Sequence, residues 1–121
     1  MPEEYQMRSN NTEVIVVEDD ADLRFILCRR LTEAGYTPLG AANGLEALEK
    51  MVDHPDCRVL ITDFMMPELG GDTWIRTLER FCDEGWSVIV VSAENIDPGR
   101  FVMSPKPIDV PNLISHLQRV A

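Results

Sequence analysis

The chain has 121 residues, a formal net charge of −10 and 45% apolar residues. This length supports one compact core and is short for two ordinary domains. The acidic charge disfavours direct contact with nucleic acid or an anionic membrane surface, because basic side chains are needed to neutralise phosphate groups. No stretch approaches the roughly 20 apolar residues that span a bilayer, and the polar start lacks the apolar segment of a signal peptide. We therefore expect a cytoplasmic protein.

Short apolar runs rich in β-branched residues alternate along the chain with longer segments of helical period. The runs at 14–17, 59–61 and 88–91 are continuously apolar, which predicts strands buried on both faces of a parallel sheet. The run at 36–41 contains Pro38, which cannot donate a ladder hydrogen bond and so favours an edge strand. A run at 101–103 is the candidate fifth strand. The alternation predicts an α/β domain with helices on both faces of the sheet.

Four of the longer segments carry apolar residues at helical spacing. Their apolar faces comprise Leu23, Ile26, Leu27, Leu31 and Ala34; Leu45, Leu48 and Val52; Trp74, Ile75, Leu78, Phe81 and Cys82; and Val110, Leu113, Ile114, Leu117 and Val120. Asn43 and Asp109 are predicted N-caps, and Gly35 a C-terminal cap. The segment at 93–100 is different, because it is barely two helical turns long and contains an Asp-Pro-Gly turn signature. We predict a loop there, or at most one distorted turn.

The chain has three cysteines, Cys28, Cys57 and Cys82, without a C-x-x-C pair. This odd number indicates neither a disulfide framework nor a zinc site, so we expect small buried hydrophobic side chains. His54 and His116 lack ligand-like neighbours at zinc spacing, and surface or helix-end roles are expected for both.

Polar side chains stand where the apolar runs end. The first run is followed by Glu18 and Asp19, the third by Asp63, the fourth by Ser92 and the fifth by Lys106. The carboxyl ends of parallel strands face one crevice, so these residues are expected to converge. Carboxylates held close together raise each other's pKa unless a cation offsets them. Mg²⁺ commonly binds one or two carboxylates plus a phosphoryl group, and we predict it here.

The chain also contains four sequence pieces in this order: V-I-V-V-E-D-D, V-L-I-T-D-F-M-M-P-E-L-G-G, V-I-V-V-S-A and K-P. Together they resemble the receiver domains of two-component response regulators, of the CheY-like type, over residues 13–121. The resemblance implies a flavodoxin-like, doubly wound sheet of five parallel strands in the order 2-1-3-4-5. Helix 4 of that fold is expected to be shortened or replaced by a loop. Residues 1–12 are expected to form a polar tail outside the domain.

Residue by residue, the resemblance implies that Asp63 is the phosphoacceptor. Asp19 would bind Mg²⁺ directly, Glu18 would act through water, and the backbone carbonyl of Met65 would complete the protein ligands. Lys106 would pair with the phosphoryl oxygens.

The resemblance also implies the parts of a switch. Ser92 stands where the family has Thr or Ser, whose hydroxyl turns toward the phosphoryl group on activation. The family's aromatic switch residue normally lies three positions before the lysine, where this chain has Met103. Phe101 is a substitute only if the local register has moved. The Lys106–Pro107 peptide bond would be cis.

Several neighbouring residues have purely structural interpretations. Asp20 and Asp22 are expected to be capping or surface residues. The side chains of Met65 and Met66 are expected to fill the core. Trp74 and Trp86 are expected to be packing residues.

The leading hypothesis is a phosphorelay receiver, a signalling switch rather than an enzyme. It would take a phosphoryl group from a histidine kinase or histidine phosphotransfer protein, form an aspartyl phosphate, and switch binding to a downstream protein target. The alternative is a pseudo-receiver, a constitutive protein-interaction module that lost switching with the missing helix. A small phosphohydrolase is disfavoured, since that class typically shows D-x-D and Met65 stands two residues after Asp63. A homodimer is left open.

Overall fold

The computed structural model describes residues 12–120, which form a sheet of five parallel strands covered by four helices. The strands are β1 (Glu13–Val17), β2 (Thr37–Ala41), β3 (Val59–Asp63), β4 (Ser87–Ser92) and β5 (Val102–Pro105). Their spatial order is β2-β1-β3-β4-β5, and each neighbouring pair is parallel. The predicted fold class and strand order are confirmed. The predicted polar tail falls almost wholly on residues outside the described part, and the division at residue 13 stays a prediction.

The helices are α1 (Ala21–Glu33), α2 (Gly44–Asp53), α3 (Gly71–Phe81) and α4 (Val110–Val120). The sheet separates two apolar clusters. On one face, Leu27 of α1 and Leu117 of α4 pack against β1, β3 and β4. On the other face, Ala47 of α2 and Trp74 of α3 pack against the same strands. No helix among residues 12–120 has the length and apolar character that crossing a membrane requires.

The predicted helix caps are confirmed. The side chain of Asn43 accepts a hydrogen bond from Glu46 N at 2.9 Å, and that of Asp109 accepts one from Asn112 N at 3.1 Å. Gly35 follows α1 with a φ of 97°, a conformation that glycine adopts without steric cost. Asp20 caps the start of α1, as expected for a capping residue.

Some predicted core positions are wrong. Leu45 and Val52 are exposed, because the buried face of α2 runs through Gly44 and Ala47 and turns these two side chains outward. Phe81 is exposed for the corresponding reason at the end of α3, whose buried residues are Trp74, Ile75 and Leu78. Cys57 and Cys82 are buried as expected, whereas Cys28 is only half-buried.

The connection between β4 and β5, residues 93–101, contains no helix. The predicted loop is confirmed. The helix that the receiver fold has between β4 and β5 is therefore missing from this part of the chain. The fifth strand begins one residue later than predicted, since Phe101 N donates to Pro98 O at 3.2 Å in a turn. The strand extends to Pro105, which is tolerated because β5 is an edge strand.

Gly99 and Arg100 dock this connection on the C-terminal end of α3. The Arg100 guanidinium donates to Glu79 O at 3.0 Å and also to Cys82 O. Gly99 has a φ of 64°, a conformation that favours glycine, and a Cβ there would require the Glu79 carboxylate, 2.6 Å away, to move. Ile96 packs against the core from this segment.

Candidate metal centre

Three carboxylates meet at the carboxyl ends of β1 and β3. Glu18 and Asp19 follow β1 directly, and Asp63 is the last residue of β3. The two strands are neighbours with Val17 opposite Thr62, so the residues beyond them lie side by side. One carboxylate oxygen from each acid lies within 4.8 Å of the others. The predicted convergence of the acids is therefore observed.

Glu18 is the most deeply buried of the three acids, with 3% of its surface exposed. Burial raises the pKa of its carboxyl from 4.5 to about 7, against the lowering effect of the Asp20 backbone N–H bound to it. The neighbouring Asp19 and Asp63 raise this pKa further, and the Lys106 ammonium lowers it. Hard oxygen donors that repel one another in this way fit a divalent cation such as Mg²⁺.

Lys106 contributes a positive charge next to Asp63. Its ammonium nitrogen lies 3.0 Å from Asp63 Oδ2, and the Asp63 side chain is 8% exposed. The lysine backbone is fixed too, since Lys106 N donates to Ser92 O at 2.9 Å. The Lys106–Pro107 peptide bond is cis.

Ser92 ends β4, next to the strand that carries Asp63. Asp63 lies opposite Val91 in the ladder, so Ser92 is one residue beyond that pair. The serine is buried, and its hydroxyl oxygen accepts a hydrogen bond from Glu94 N at 3.0 Å. This bond joins the strand tip to the first residues of the β4–β5 connection.

Met65 lies in the loop between β3 and α3, two residues after Asp63. Its side chain is exposed, so the expectation that it fills the core is wrong, while Met66 is buried as expected. The loop turns tightly at Gly70, where a Cβ would lie 2.6 Å from the carbonyl oxygen of Met66. Gly71 N donates to the carbonyl of Phe64 at 2.7 Å, which closes the turn.

The two candidate switch residues lie away from the carboxylates. Phe101 precedes β5 at its amino end, opposite to the end that leads to Lys106, and the Arg100 guanidinium lies 5.0 Å from its ring centroid. Phe101 also lines a cavity of about 170 Å³ with Trp86 and His116. Met103 lies within β5 opposite Val90, and both candidates are half-buried.

Two contacts at the site involve residues that the sequence analysis did not assign to it. Arg24 in the first turns of α1 donates to Glu18 O at 2.7 Å. Thr62 is fully buried beside Asp63 and accepts a hydrogen bond from Trp74 Nε1 at 2.7 Å. Thr62 directly follows the apolar run at 59–61, and a polar residue at that strand end was the available signal; an arginine on a helix face carries no comparable signal.

The comparison with protein families decides the identity of the fold. A family model described as response regulator receiver domain matches residues 14–118. The chain belongs to this family. As a receiver domain it is a component of two-component signalling and a switch rather than an enzyme. Its acidic triad is typical of the magnesium site of receiver domains.

Individual relatives agree with this assignment. The receiver domain is 25% identical over 114 residues to the response regulator receiver protein CpdR of Brucella abortus, covering 88% of this chain and 94% of that protein. It is 34% identical over 114 residues to the response regulator MprA of Mycobacterium ulcerans, covering 87% of this chain. That match spans 48% of MprA, so the chain corresponds to about half of that relative's length.

A solved structure shows the same architecture. The chemotaxis protein CheY4 of Vibrio cholerae superposes with a TM-score of 0.78 at 25% identity, covering 91% of this receiver domain and 98% of that chain. Receiver domains interact with histidine kinases, and a segment of the sensor kinase CckA of Brucella abortus is 37% identical over 73 residues. That match covers 60% of this chain and 8% of the kinase.

Proposed function

We propose that this receiver domain is a phosphoacceptor, in which Asp63 receives a phosphoryl group from a phosphohistidine on a histidine kinase or histidine phosphotransfer protein. One observation carries the proposal. A carboxylate oxygen of the buried Asp63 lies within 4.8 Å of oxygens of Glu18 and Asp19, and Asp63 Oδ2 lies 3.0 Å from the Lys106 ammonium. Phosphoryl transfer depends on positioning and on charge neutralisation, which the Lys106 ammonium and a cation held by the carboxylates would supply.

The proposed magnesium ligands are the side chains of Asp19 and Asp63 and the backbone carbonyl of Met65, with Glu18 acting through water. Three carboxylates within 4.8 Å of one another support this assignment. Bound there, Mg²⁺ would offset the negative charge of the carboxylates and of the phosphoryl oxygens. In the proposed role of Lys106, the ammonium turns from the free Asp63 carboxylate to the phosphoryl oxygens.

The proposed transfer conserves charge and atoms. A carboxylate oxygen of Asp63 attacks phosphorus in line, the new O–P bond forms, and the P–N bond to the donor histidine breaks. Its electron pair stays on the imidazole nitrogen. Hydrolysis of the resulting acyl phosphate by water restores the carboxylate and releases inorganic phosphate.

Ser92 is the proposed link between the phosphoryl group and partner binding. Its hydroxyl holds Glu94 N at 3.0 Å, so turning the hydroxyl toward a phosphoryl group on Asp63 would release the start of the β4–β5 connection. The phosphoryl group adds a charge of about −1.5 to −2, which is sufficient to bias such a two-state contact. Met103 and Phe101 would follow the connection, and a downstream protein would recognise the altered surface.

Labelling with a small phosphodonor tests the proposal. We expect the protein to gain one phosphoryl group from acetyl phosphate in the presence of Mg²⁺, measured by intact-protein mass spectrometry, and to gain none with a chelator. Asp63→Asn should abolish labelling, because the amide is not a nucleophile. Asp53→Asn, at the exposed end of α2, is the matched control and should label normally. Labelling that persists in a folded Asp63→Asn protein would contradict the assignment.

The missing helix favours a second candidate, the pseudo-receiver that binds partners constitutively. Residues 93–101 lack the element that receiver domains use between β4 and β5. Hydrogen exchange separates the candidates. The phosphoacceptor should change exchange over residues 93–104 when acetyl phosphate is added, and Asp63→Asn should remove that change. If the protein is labelled but exchange over residues 93–104 does not change, phosphorylation does not alter this surface, and the protein would bind its partners constitutively, as a pseudo-receiver.

A further inference from the structure

A polar contact lies inside the otherwise apolar core between the sheet and α3. Thr62 and Trp74 are both fully buried. Trp74 Nε1 lies 2.7 Å from Thr62 Oγ1, and that oxygen lies 2.9 Å from the backbone carbonyl oxygen of Asp63. Burying a polar group is costly unless it has a hydrogen-bond partner. These two hydrogen bonds give a partner to the indole N–H, the threonine hydroxyl and the Asp63 carbonyl.

The direction of the two hydrogen bonds follows from chemistry. An indole nitrogen only donates, so Thr62 Oγ1 accepts the proton of Trp74. The hydroxyl has a single proton of its own, and that proton is left for the carbonyl of Asp63. The indole therefore sets the orientation of the threonine hydroxyl, and the hydroxyl in turn holds the carbonyl that follows the reacting side chain.

The peptide group after Asp63 is held at both of its polar atoms. Its carbonyl oxygen accepts from Thr62, and its N–H, which belongs to Phe64, donates to Val91 O at 2.9 Å. The plane of this peptide sets the ψ angle of Asp63 and the path of the chain toward Met65. Loss of either anchor would let the carboxylate and the Met65 carbonyl move relative to the other acids.

The indole of Trp74 is itself packed against two further elements. A Cβ on Gly44, the first residue of α2, would lie 3.1 Å from Trp74 Cζ3 and 2.6 Å from Leu69 Cδ2. The ring thus fills the space where α2, α3 and the β3–α3 loop meet. A ring packed this tightly gives the hydrogen bond to Thr62 little freedom.

We infer that Thr62 and Trp74 are positioning residues for phosphoryl transfer, which fix the backbone of Asp63 through two buried hydrogen bonds. The inference rests on the proposed function of Asp63. It also makes Trp74 a spectroscopic reporter of the metal centre, because the Thr62 hydroxyl joins the indole N–H to the backbone carbonyl of Asp63.

The hydroxyl is tested by a pair of substitutions at one position. Thr62→Val keeps the branched shape and removes the hydroxyl, whereas Thr62→Ser keeps the hydroxyl. We expect Thr62→Val to lower the maximal rate of Asp63 labelling by acetyl phosphate about tenfold or more, since small misplacements of reacting groups have effects of this size. The half-saturating concentration of acetyl phosphate should stay near the wild-type value, and Thr62→Ser should restore the rate.

Fluorescence supplies a readout that does not depend on labelling. Trp86 is the second of two tryptophans, so Trp86→Phe leaves Trp74 as the sole indole. We expect Mg²⁺ alone, and then Mg²⁺ with beryllofluoride, to change the Trp74 emission. The same additions should have a much smaller effect when Thr62→Val is combined with Trp86→Phe.

The outcomes separate this inference from the proposed function. A folded Thr62→Val protein that labels at the wild-type rate, or a Thr62→Ser protein that is equally slow, overturns the inference. If Thr62→Val does not fold, Trp74→Phe takes its place, and wild-type labelling of that variant is the overturning result. If the wild-type protein takes no label, the proposed function fails. The Mg²⁺ response of Trp74 then tests only whether Thr62 and Trp74 position Asp63 at the metal centre, and the absence of a response overturns that as well.

Discussion

The acidic pocket and the β4–β5 connection of this receiver domain differ in how closely they follow the family. The pocket brings Glu18, Asp19 and Asp63 together within 4.8 Å. The connection replaces a helix with residues 93–101, docked on α3 mainly through Arg100. The acids lie at the ends of strands that are buried on both faces, whereas the connection is held by a few contacts, of which the Arg100–Glu79 hydrogen bond is exposed.

The residues that would carry out phosphoryl transfer and the segment that would couple it to partner binding are therefore held in place by different contacts. The positions of the acids follow from the β1–β3 ladder and the buried strands beneath it. The connection carries no part of that ladder, so it can change shape without moving a carboxylate. Substitutions in the connection that leave Ser92 in place should therefore leave the acidic pocket nearly unchanged.

The largest expected effect is on the pocket. Lys106→Met should slow Asp63 labelling by about 100-fold or more, because it removes a donor aimed at the developing phosphoryl charge. The same change should tighten Mg²⁺ binding severalfold, because a positive charge beside the carboxylates is lost. Labelling kinetics and a Mg²⁺ titration measure the two effects. Lys50→Met on α2 is the control, and an unchanged labelling rate for Lys106→Met would contradict the role of the ammonium.

Mg²⁺ should stabilise the folded state through the same pocket. At a Mg²⁺ concentration about 100 times the dissociation constant, the free energy of unfolding should rise by about 2.7 kcal/mol, measured by urea denaturation. Asp19→Asn should remove most of this gain, and Asp53→Asn should keep it. Equal stabilisation of Asp19→Asn and the wild-type protein would show that the ion binds elsewhere.

Arg100→Gln should act on the connection and spare the pocket. It removes the guanidinium contacts with the Glu79 and Cys82 carbonyls, so the free energy of unfolding should fall by about 1–2 kcal/mol. Amide exchange over residues 93–101 should become faster. Asp63 labelling should stay close to the wild-type rate. Arg80→Gln, at an exposed position of α3, is the control; a large loss of labelling in Arg100→Gln would couple the two regions.

The smallest effects concern the thiols. Burial raises the pKa of Cys82 to about 12, and burial also raises the pKa values of Cys57 and Cys28. The thiolate fraction near pH 8 is therefore low, and native alkylation by iodoacetamide should be slow at all three and faster as the pH rises. Cys28 should react first because it is half-buried. Peptide mass spectrometry gives the order.

The sequence predicted the fold for a physical reason. Continuously apolar runs such as 88–91 are buried on both faces in the structure, and caps such as Asn43 mark helix starts through local hydrogen bonds. These signals act over a few residues. The predicted burial of Leu45 and Val52 was wrong. Periodicity shows that a helix has an apolar face, but it leaves open how much of that face the sheet covers.

Local patterns in the sequence were enough to predict the alternation of elements, a loop or at most one distorted turn at 93–100, and the acidic residues at the strand ends, since turn chemistry and hydrophobic period are local properties. The packed structure was needed to find the buried bond between Thr62 and Trp74, the docking of Arg100 on α3 and the 3.0 Å distance between Lys106 and Asp63, whose convergence the sequence had indicated. These contacts join residues on different elements, and their geometry depends on how the helices and strands pack, which no local pattern encodes.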